Sequence, residues 1–246
     1  MFSFFKKKSS SATVPFSLDF MESDWHCHVL PGIDDGAPDE NVTLAMLQEY
    51  VQLGIKKIVA TPHVRADYFK NTIETIQAAA AKTNALIETH SLPLVLEASA
   101  EYYADENFVQ LIQENQLLPI EGQYILFEFS MQAPSLWGHK LIEKIQQKGY
   151  TPLLAHPERY RYWHGKPREW QSLKNRGVSF QLNLLSLVGQ YGSAERKAAE
   201  QLMEKGYYEA FGTDAHGLHH LQKLKDLERN PHFDTLQQLP LLNRLG

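Results

Sequence analysis

From about residue 23 onward the chain alternates short apolar, β-branched runs with longer segments whose apolar positions recur at helical spacing, the pattern of repeated βα units. Seven units are predicted, with strands ending near His28, Thr61, Ala100, Glu128, Ala155, Asn183 and Gly212 and helical patterns over, among others, 43–53, 73–88 and 141–148. Asn71 with Glu74 three residues on predicts a capped helix start, a side-chain acceptor at the cap and a carboxylate reaching back. Gly54, Gly149, Gly177 and Gly206 predict helix ends just ahead of the next strand run. No low-complexity linker interrupts the series, so the expectation is one domain over 21–246 behind a flexible tail over 1–20. A chain of 246 residues holds a single α/β barrel comfortably.

Composition narrows the class. A hydrophobic share of 43% and a charged share of 22% are ordinary for a globular protein and suggest neither disorder nor a membrane protein. The formal charge of −5 offers no global field for nucleic acid, so a polynucleotide substrate is disfavoured. Cys27 is the only cysteine, which excludes an intrachain disulfide and a thiolate zinc site and points to a reducing, cytoplasmic compartment. The opening Met1-Phe-Ser-Phe-Phe5 with Lys6 to Lys8 is too short for a signal peptide or a transmembrane segment. A bland tail is its ordinary reading; a weak touch on acidic lipid is the alternative.

The polar residues fall in a particular place. His26, His28, His63, Glu101, Glu128, His156, Asp214 and His216 lie at or just beyond the C-terminal ends of successive predicted strands, and parallel strands bring such ends to a common rim. His26 and His28 are two apart on a strand, so their imidazoles project from one side while Cys27 points to the other. Asp214-Ala-His216 repeats that spacing, and Gly32-Ile-Asp-Asp-Gly36 adds acid on a loop, Asp35 or its neighbour Asp34. Imidazole and carboxylate without thiolate suit manganese, iron or zinc. Four carboxylates, Asp35, Glu101, Glu128 and Asp214, leave a surplus of positive charge against three divalent ions, which favours a phosphate dianion and acidifies water.

The run His26-Cys-His28, Asp34-Asp-Gly36, Thr61-Pro-His63, Ala100-Glu-Tyr-Tyr103, Phe127-Glu-Phe-Ser130, Ala155-His-Pro-Glu-Arg-Tyr160 and Gly212-Thr-Asp-Ala-His216 resembles, in order, the metal-dependent protein-tyrosine phosphatases of bacterial capsule and exopolysaccharide loci. These belong to the polymerase-and-histidinol-phosphatase (PHP) family. The resemblance implies a distorted seven-stranded (βα)7 barrel with three metal ions. It implies His26, His28, Glu101 and Asp214 on the first, Glu101 bridging to a second with Glu128 and His156, and Asp35, His63 and His216 on the third. Arg159 is implied as the phosphate-binding arginine, its planar fork matching phosphate oxygens, so that Arg159, Glu101 and Asp214 carry catalysis with a hydroxide bridging the ions. The implied substrate is phosphotyrosine on a partner protein such as a tyrosine kinase. A small phosphate such as histidinol phosphate and a catalytically silent metal-binding regulator are the alternatives.

Some relatives carry another arginine shortly after the Asp-x-His motif, where this chain reads Gly217-Leu-His-His-Leu-Gln-Lys-Leu; Arg65, His219, His220 and Lys223 are the candidates to replace it. Several residues have ordinary readings beside functional ones. Arg159 has Glu158 and Glu128 as structural partners in view, and Glu97, four before Glu101, reads as a solvated or paired acid. Tyr160, Tyr162 and Trp163 read as cleft wall or as packing, and His90, His139, His164 and His232 as surface or packing residues. Cys27 is no phosphatase nucleophile, because the cysteine enzymes need an arginine six residues on and position 33 is Ile.

Overall fold

A computed structural model describes residues 16–243. Among these, the chain runs β1 (Asp24–Cys27), α1 (Glu40–Gln52), β2 (Lys57–Ala60), β3 (His63–Val64), α2 (Ile73–Thr89), β4 (Val95–Ala98), β5 (Glu101–Tyr103) and α3 (Glu106–Glu114). It continues through β6 (Tyr124–Glu128), α4 (Gly138–Gln147), β7 (Thr151–Ala155), α5 (Pro167–Asn175), β8 (Ser179–Asn183), α6 (Leu184–Leu187), α7 (Ser193–Glu204), β9 (Tyr208–Gly212), α8 (Leu218–Lys223) and α9 (Phe233–Gln238). Every strand pairing is parallel, in the orders β1-β2-β4 and β3-β5-β6-β7-β8-β9.

A strand stands at each of the seven predicted positions, but the described residues form nine strands in two sheets, because the second and third predicted strands are each split. β2 gives way to β3 across Thr61-Pro62, and β4 to β5 across Ser99-Ala100. Pro62 has no N–H to donate, so the ladder breaks there. Pro62 still accepts from Glu101 N (3.1 Å), and Ala60 accepts from Ser99 N (2.8 Å), so the two breaks lie side by side.

The predicted cap of α2 shifts by one residue. Thr72 is the cap, its hydroxyl accepting from Thr75 N while Thr75 Oγ1 accepts from Thr72 N. Asn71 instead donates to the carbonyls of Ile33 (2.8 Å) and His63 (2.9 Å), strapping the loop after β1 to β3. The predicted stops hold, since Gly54, Gly149, Gly177 and Gly206 all have positive φ. At Gly54 this is a left-handed position, which a residue without Cβ adopts freely.

Packing begins ahead of the boundary near residue 20 drawn from the sequence. Leu18 is fully buried and donates through its N to Leu53 O, and Phe20 packs edge-on against Phe211. Residues 1–15, with the Phe and Lys run considered for lipid contact, lie outside the described residues.

The main core lies between the strands and helices. A second, smaller apolar cluster gathers Trp25, Val59, Ile120, Leu126, Leu153, Ala155 and Ala210. Leu126 precedes Glu128 by two on β6 and so shares its face, which places this cluster beneath the strand ends.

Candidate metal centre

The nine residues expected as metal ligands converge. Four overlapping groups have donor atoms close enough to share an ion: His28, Asp35, His63 and His216; His26, His28 and Asp214; His26, Glu101 and His156; and His63, Glu101 and Glu128. His26 and His28 come together as expected, with Nε2 atoms 3.2 Å apart. Asp214 Oδ1 lies 3.4 Å from His26 Nε2 and 3.3 Å from His28 Nε2. Two ligands each about 2.1 Å from one ion at tetrahedral or octahedral angles stand roughly 3.0–3.4 Å apart, the spacing seen here.

Glu101 is the hub. Its side chain is fully buried, with Oε1 3.1 Å from His156 Nε2 and Oε2 at 2.9 Å from His63 Nδ1, 3.3 Å from His26 Nε2 and 3.7 Å from His28 Nε2. Despite that crowding no N–H is aligned on Oε2, which has no hydrogen-bond partner. A buried carboxylate oxygen ringed by imidazole nitrogens and lacking a donor fits a cation, so the residues present suit the expected metal. Glu128 approaches from β6, 3.8 Å from His63 Nδ1 and 3.8 Å from His156 Nε2, and Asp35 lies 3.4 Å and 3.5 Å from Nε2 of His63 and His216.

The cluster's demand for positive charge shows in its titration. Burial disfavours the imidazolium of His26, yet Glu101 and Asp214 outweigh it and push its pKa up to about 9. His63 rises to about 10 against the same burial penalty, through Glu101, Glu128 and Asp35. Burial, then the neighbouring Glu101 charge, lifts Glu128 to about 8. Glu101 and Asp214, despite burial, are held well below the usual carboxylate range by the surrounding histidines. Burial and the adjacent Arg159 push His156 down to about 4.

Backbone conformation is unusual at two of the ligands. His156 and Asp214 have φ of 37° and 50°, left-handed values that cost a non-glycine residue about 1–3 kcal/mol unless surrounding contacts hold it. Asp214 is held by its N donating to His26 O (2.7 Å), and His156 by its N donating to Gln181 O (3.0 Å).

The two acids of the Gly32–Gly36 loop divide the work. Asp34 accepts from His28 Nδ1 (2.8 Å), Gly36 N (2.9 Å) and His63 N (3.2 Å), so it orients ligands, while Asp35 faces His63 and His216. Arg159 pairs with neither Glu158 nor Glu128: its Nη1 donates to Asp214 Oδ2 (2.7 Å) and its guanidinium lies 4.1 Å from the Tyr191 ring centre. Glu158 turns away to accept from Asn183 N, Ser186 Oγ and Tyr208 OH.

Three supporting residues carried no sequence signal, Gln181 and Asn183 within β8 and Tyr191 in the segment after α6. Gln181 Oε1 sits 2.9 Å from His26 Nδ1, Asn183 Nδ2 donates to Asp214 Oδ2 (2.7 Å), and Tyr191 OH reaches the same oxygen at 3.3 Å.

The ordinary readings hold elsewhere. Glu97 pairs with Lys57 at 3.0 Å on β4, cut off from Glu101 by the strand break. Tyr160 is buried, donating to Ala155 O and accepting from Phe129 N, and Trp163 packs beside it. His90 and His139 are exposed, His164 bonds Glu158 O, and His232 lies near Glu200. Among the four candidates to replace the second arginine, His220 is engaged with His216 N and Gln190, and the His219 ring lies tilted against it. Lys223 is half-buried at the end of α8, and Arg65 packs on Tyr68 and Tyr103. Cys27 is buried with its Sγ against Val59 O, which suits packing. No described helix is long and apolar enough to cross a membrane.

Comparison with known proteins gives the same direction. The tyrosine-protein phosphatase YwqE of Bacillus subtilis is 32% identical over 196 residues, 79% of this chain and 77% of the relative. A solved structure from work on YwqE of Bacillus subtilis and CpsB of Streptococcus pneumoniae, described as metal-dependent tyrosine phosphatases, matches with a TM-score of 0.77 and 29% identity over 91% of this chain and 95% of that one. A histidinol phosphate phosphatase from Lactococcus lactis matches in fold, with a TM-score of 0.53 at 13% identity over 84% of this chain and 93% of that one. The family model described as capsular polysaccharide synthesis, CpsB/CapC, matches residues 22–233, from just ahead of β1 into α9, and on that extent the chain belongs to the CpsB/CapC family.

Proposed function

We propose that this chain is a metal-dependent protein-tyrosine phosphatase acting on phosphotyrosine of a partner protein, with a bacterial tyrosine kinase of polysaccharide synthesis as the expected partner. The observation that carries the reading is the convergence of nine candidate ligands in four overlapping groups, with Glu101 Oε2 buried among imidazoles and without a hydrogen-bond partner. The relatives of known name support the substrate class.

His26, His28, Asp214 and Glu101 would hold one divalent ion, Glu101, Glu128 and His156 a second, and Asp35, His63 and His216 a third, with manganese or iron, and also zinc, suited to these donors. Bound divalent ions supply Lewis acidity toward phosphoryl oxygens and acidify water at neutral pH. Arg159 binds the phosphoryl group: one of its five N–H donors is spent on Asp214, and the rest of the fork remains for phosphate oxygens. Tyr191 beneath the guanidinium fixes its plane. Glu101 and Asp214 are held well below the usual carboxylate range, so both are available as ionised ligands.

The seven units are best described as a distorted (βα)7 barrel of the PHP type. Support comes from the bridge between Cys27 and Ala215, with His28 N donating to Ala215 O at 3.0 Å, which joins the first strand to the segment after the last. A cytoplasmic location is inferred from the lone buried thiol.

The test is the rate of the metal-loaded and chelator-stripped protein on a phosphotyrosine peptide, a phosphoserine peptide and histidinol phosphate. Hydrolysis of the phosphotyrosine peptide above the other two, lost on chelation and restored by manganese or iron, is expected. Preference for histidinol phosphate would move the chain to a small-molecule role. Metal binding with no turnover on any of the three would make it a silent regulator.

A further inference from the structure

We propose that Arg65, packed on Tyr103 and Tyr68 beside the metal centre, forms a recognition subsite for an acidic side chain flanking the phosphotyrosine of a protein substrate. The inference rests on the phosphatase reading above and extends it from the reacting phosphate to the peptide around it.

Position comes first. Arg65 follows His63 by two residues, and Tyr103 follows Glu101 by two, so each shares the face of a ligand and stands one layer further toward the open end of the strands. Two residues of extended chain span roughly 6–7 Å. Tyr103 is also the register partner of Glu128 on β6, which sets its ring beside that ligand. The Arg65 guanidinium lies 4.1 Å from the Tyr103 ring centre and 4.8 Å from that of Tyr68, and Tyr68 is 71% exposed at the rim. Backbone hydrogen bonds between Arg65 and Phe69 close a tight loop around this packing, and the Phe69 ring stacks on His63 at 5.5 Å. The arginine is therefore fixed relative to a metal ligand.

Charge comes second. Arg159 is paired with Asp214, Arg161 with Glu195, Arg176 with Glu143 and Arg196 with Glu200, whereas Arg65, like Arg168 and Arg229 away from the centre, has no carboxylate within ion-pair distance among the described residues. Asp105, whose side chain touches the neighbouring Ala66 N, is committed to that contact and to capping α3 through Phe108 N. The Arg65 Nε is buried and has no hydrogen-bond partner. A guanidinium held in place by two aromatic rings, with its charge unneutralised and a buried donor unused, is arranged to receive an anion.

Reach decides which anion. Arg159 is already at the level of Asp214 for the phosphoryl group, while Arg65 is a layer above His63 and Glu101. With phosphate at the metal centre, the tyrosine ring spans that layer and the peptide chain lies at the rim. The group that meets Arg65 there is a side chain next to the phosphotyrosine, and Asp or Glu supplies the matching carboxylate.

The experiment compares wild type, Arg65→Ala, Arg65→Gln and Arg65→Lys, all metal-loaded. Three substrates are used: a phosphotyrosine peptide with Asp and Glu flanks, the same peptide with Asn and Gln flanks, and p-nitrophenyl phosphate. Wild type should prefer the acidic peptide by about tenfold in kcat/KM, carried by KM, the size expected for one charge-assisted contact. Arg65→Ala and Arg65→Gln should erase that preference, and Arg65→Lys should restore part of it. Metal content and melting temperature, measured on every variant, identify any that misfolds; Arg65→Gln preserves side-chain length for that reason. A preference that survives both neutral variants, or no preference in wild type, overturns the subsite. An equal loss on all three substrates overturns it too, assigning Arg65 to the phosphate or to the loop. If wild type cleaves p-nitrophenyl phosphate but neither peptide, the phosphotyrosine reading itself fails and takes the subsite with it.

Discussion

Arg159 Nη1 and Asp214 Oδ2 are joined by a 2.7 Å hydrogen bond, so the guanidinium proposed to bind phosphate is anchored on a residue that also faces His26 and His28. That oxygen also accepts from Asn183 Nδ2 at 2.7 Å and meets Tyr191 OH at 3.3 Å. Arg159→Ala therefore leaves Asp214 supported, and metal content should be retained. Catalytic efficiency should fall about ten- to a hundredfold on both a phosphotyrosine peptide and an aryl phosphate, the loss of a charge-assisted contact of about 1.5–3 kcal/mol. Lysine should recover only part, since it lacks the parallel fork. Loss of metal in Arg159→Ala would instead make the arginine a structural partner of Asp214.

Glu101→Gln keeps the volume of the hub while removing its charge from among four histidines, so bound metal and turnover should both drop steeply. Glu97→Gln, at the Lys57 pair on the other side of the strand break, should be nearly silent. Elemental analysis and initial rates on the two variants check this, and equal effects would contradict the assigned roles.

Asp34→Asn should weaken metal binding without removing a ligand. The carboxylate fixes His28 through Nδ1 and holds His63 N, and loss of such an orienting partner typically costs about 10–100-fold in affinity. Manganese titration of Asp34→Asn against wild type is the measurement; an unchanged dissociation constant would mean His28 is oriented by packing alone.

Gly36→Ala should be destabilising even though the residue touches no expected ion. An added Cβ would stand 2.1 Å from His28 O and 2.5 Å from His28 Cβ, so the loop and the histidine cannot both stay in place. A cost of about 1–3 kcal/mol is expected from overpacking of this kind, read by thermal denaturation, with a parallel loss of metal affinity. Unchanged melting would show that the loop shifts freely.

Much of this molecule was legible from spacing. The alternation of strand and helix patterns marked seven positions at which strands occur, and the polar residues at or just beyond the predicted strand ends are among those the structure brings together, because both depend on local periods. The splitting of two strands was not legible: Pro62 marks one break, but Ser99-Ala100 carries no such signal and yields to pairing with its neighbour. The cap of α2 moved from Asn71 to Thr72 because Asn71 is drawn to Ile33 O, a contact 38 residues back in the chain. Gln181, Asn183 and Tyr191 share this character. Their roles exist only through distant partners, and no short motif encodes them.

The apolar cluster around Trp25, Leu126 and Ala210 lies directly below Glu128 and fills the space between the strands on that side. The ligand-bearing strand ends thus rest on packed hydrocarbon: buried side chains such as Leu126 and Leu153 offer no dipole to the charges above them, so those charges have only one another, and the cations expected among them, to settle with.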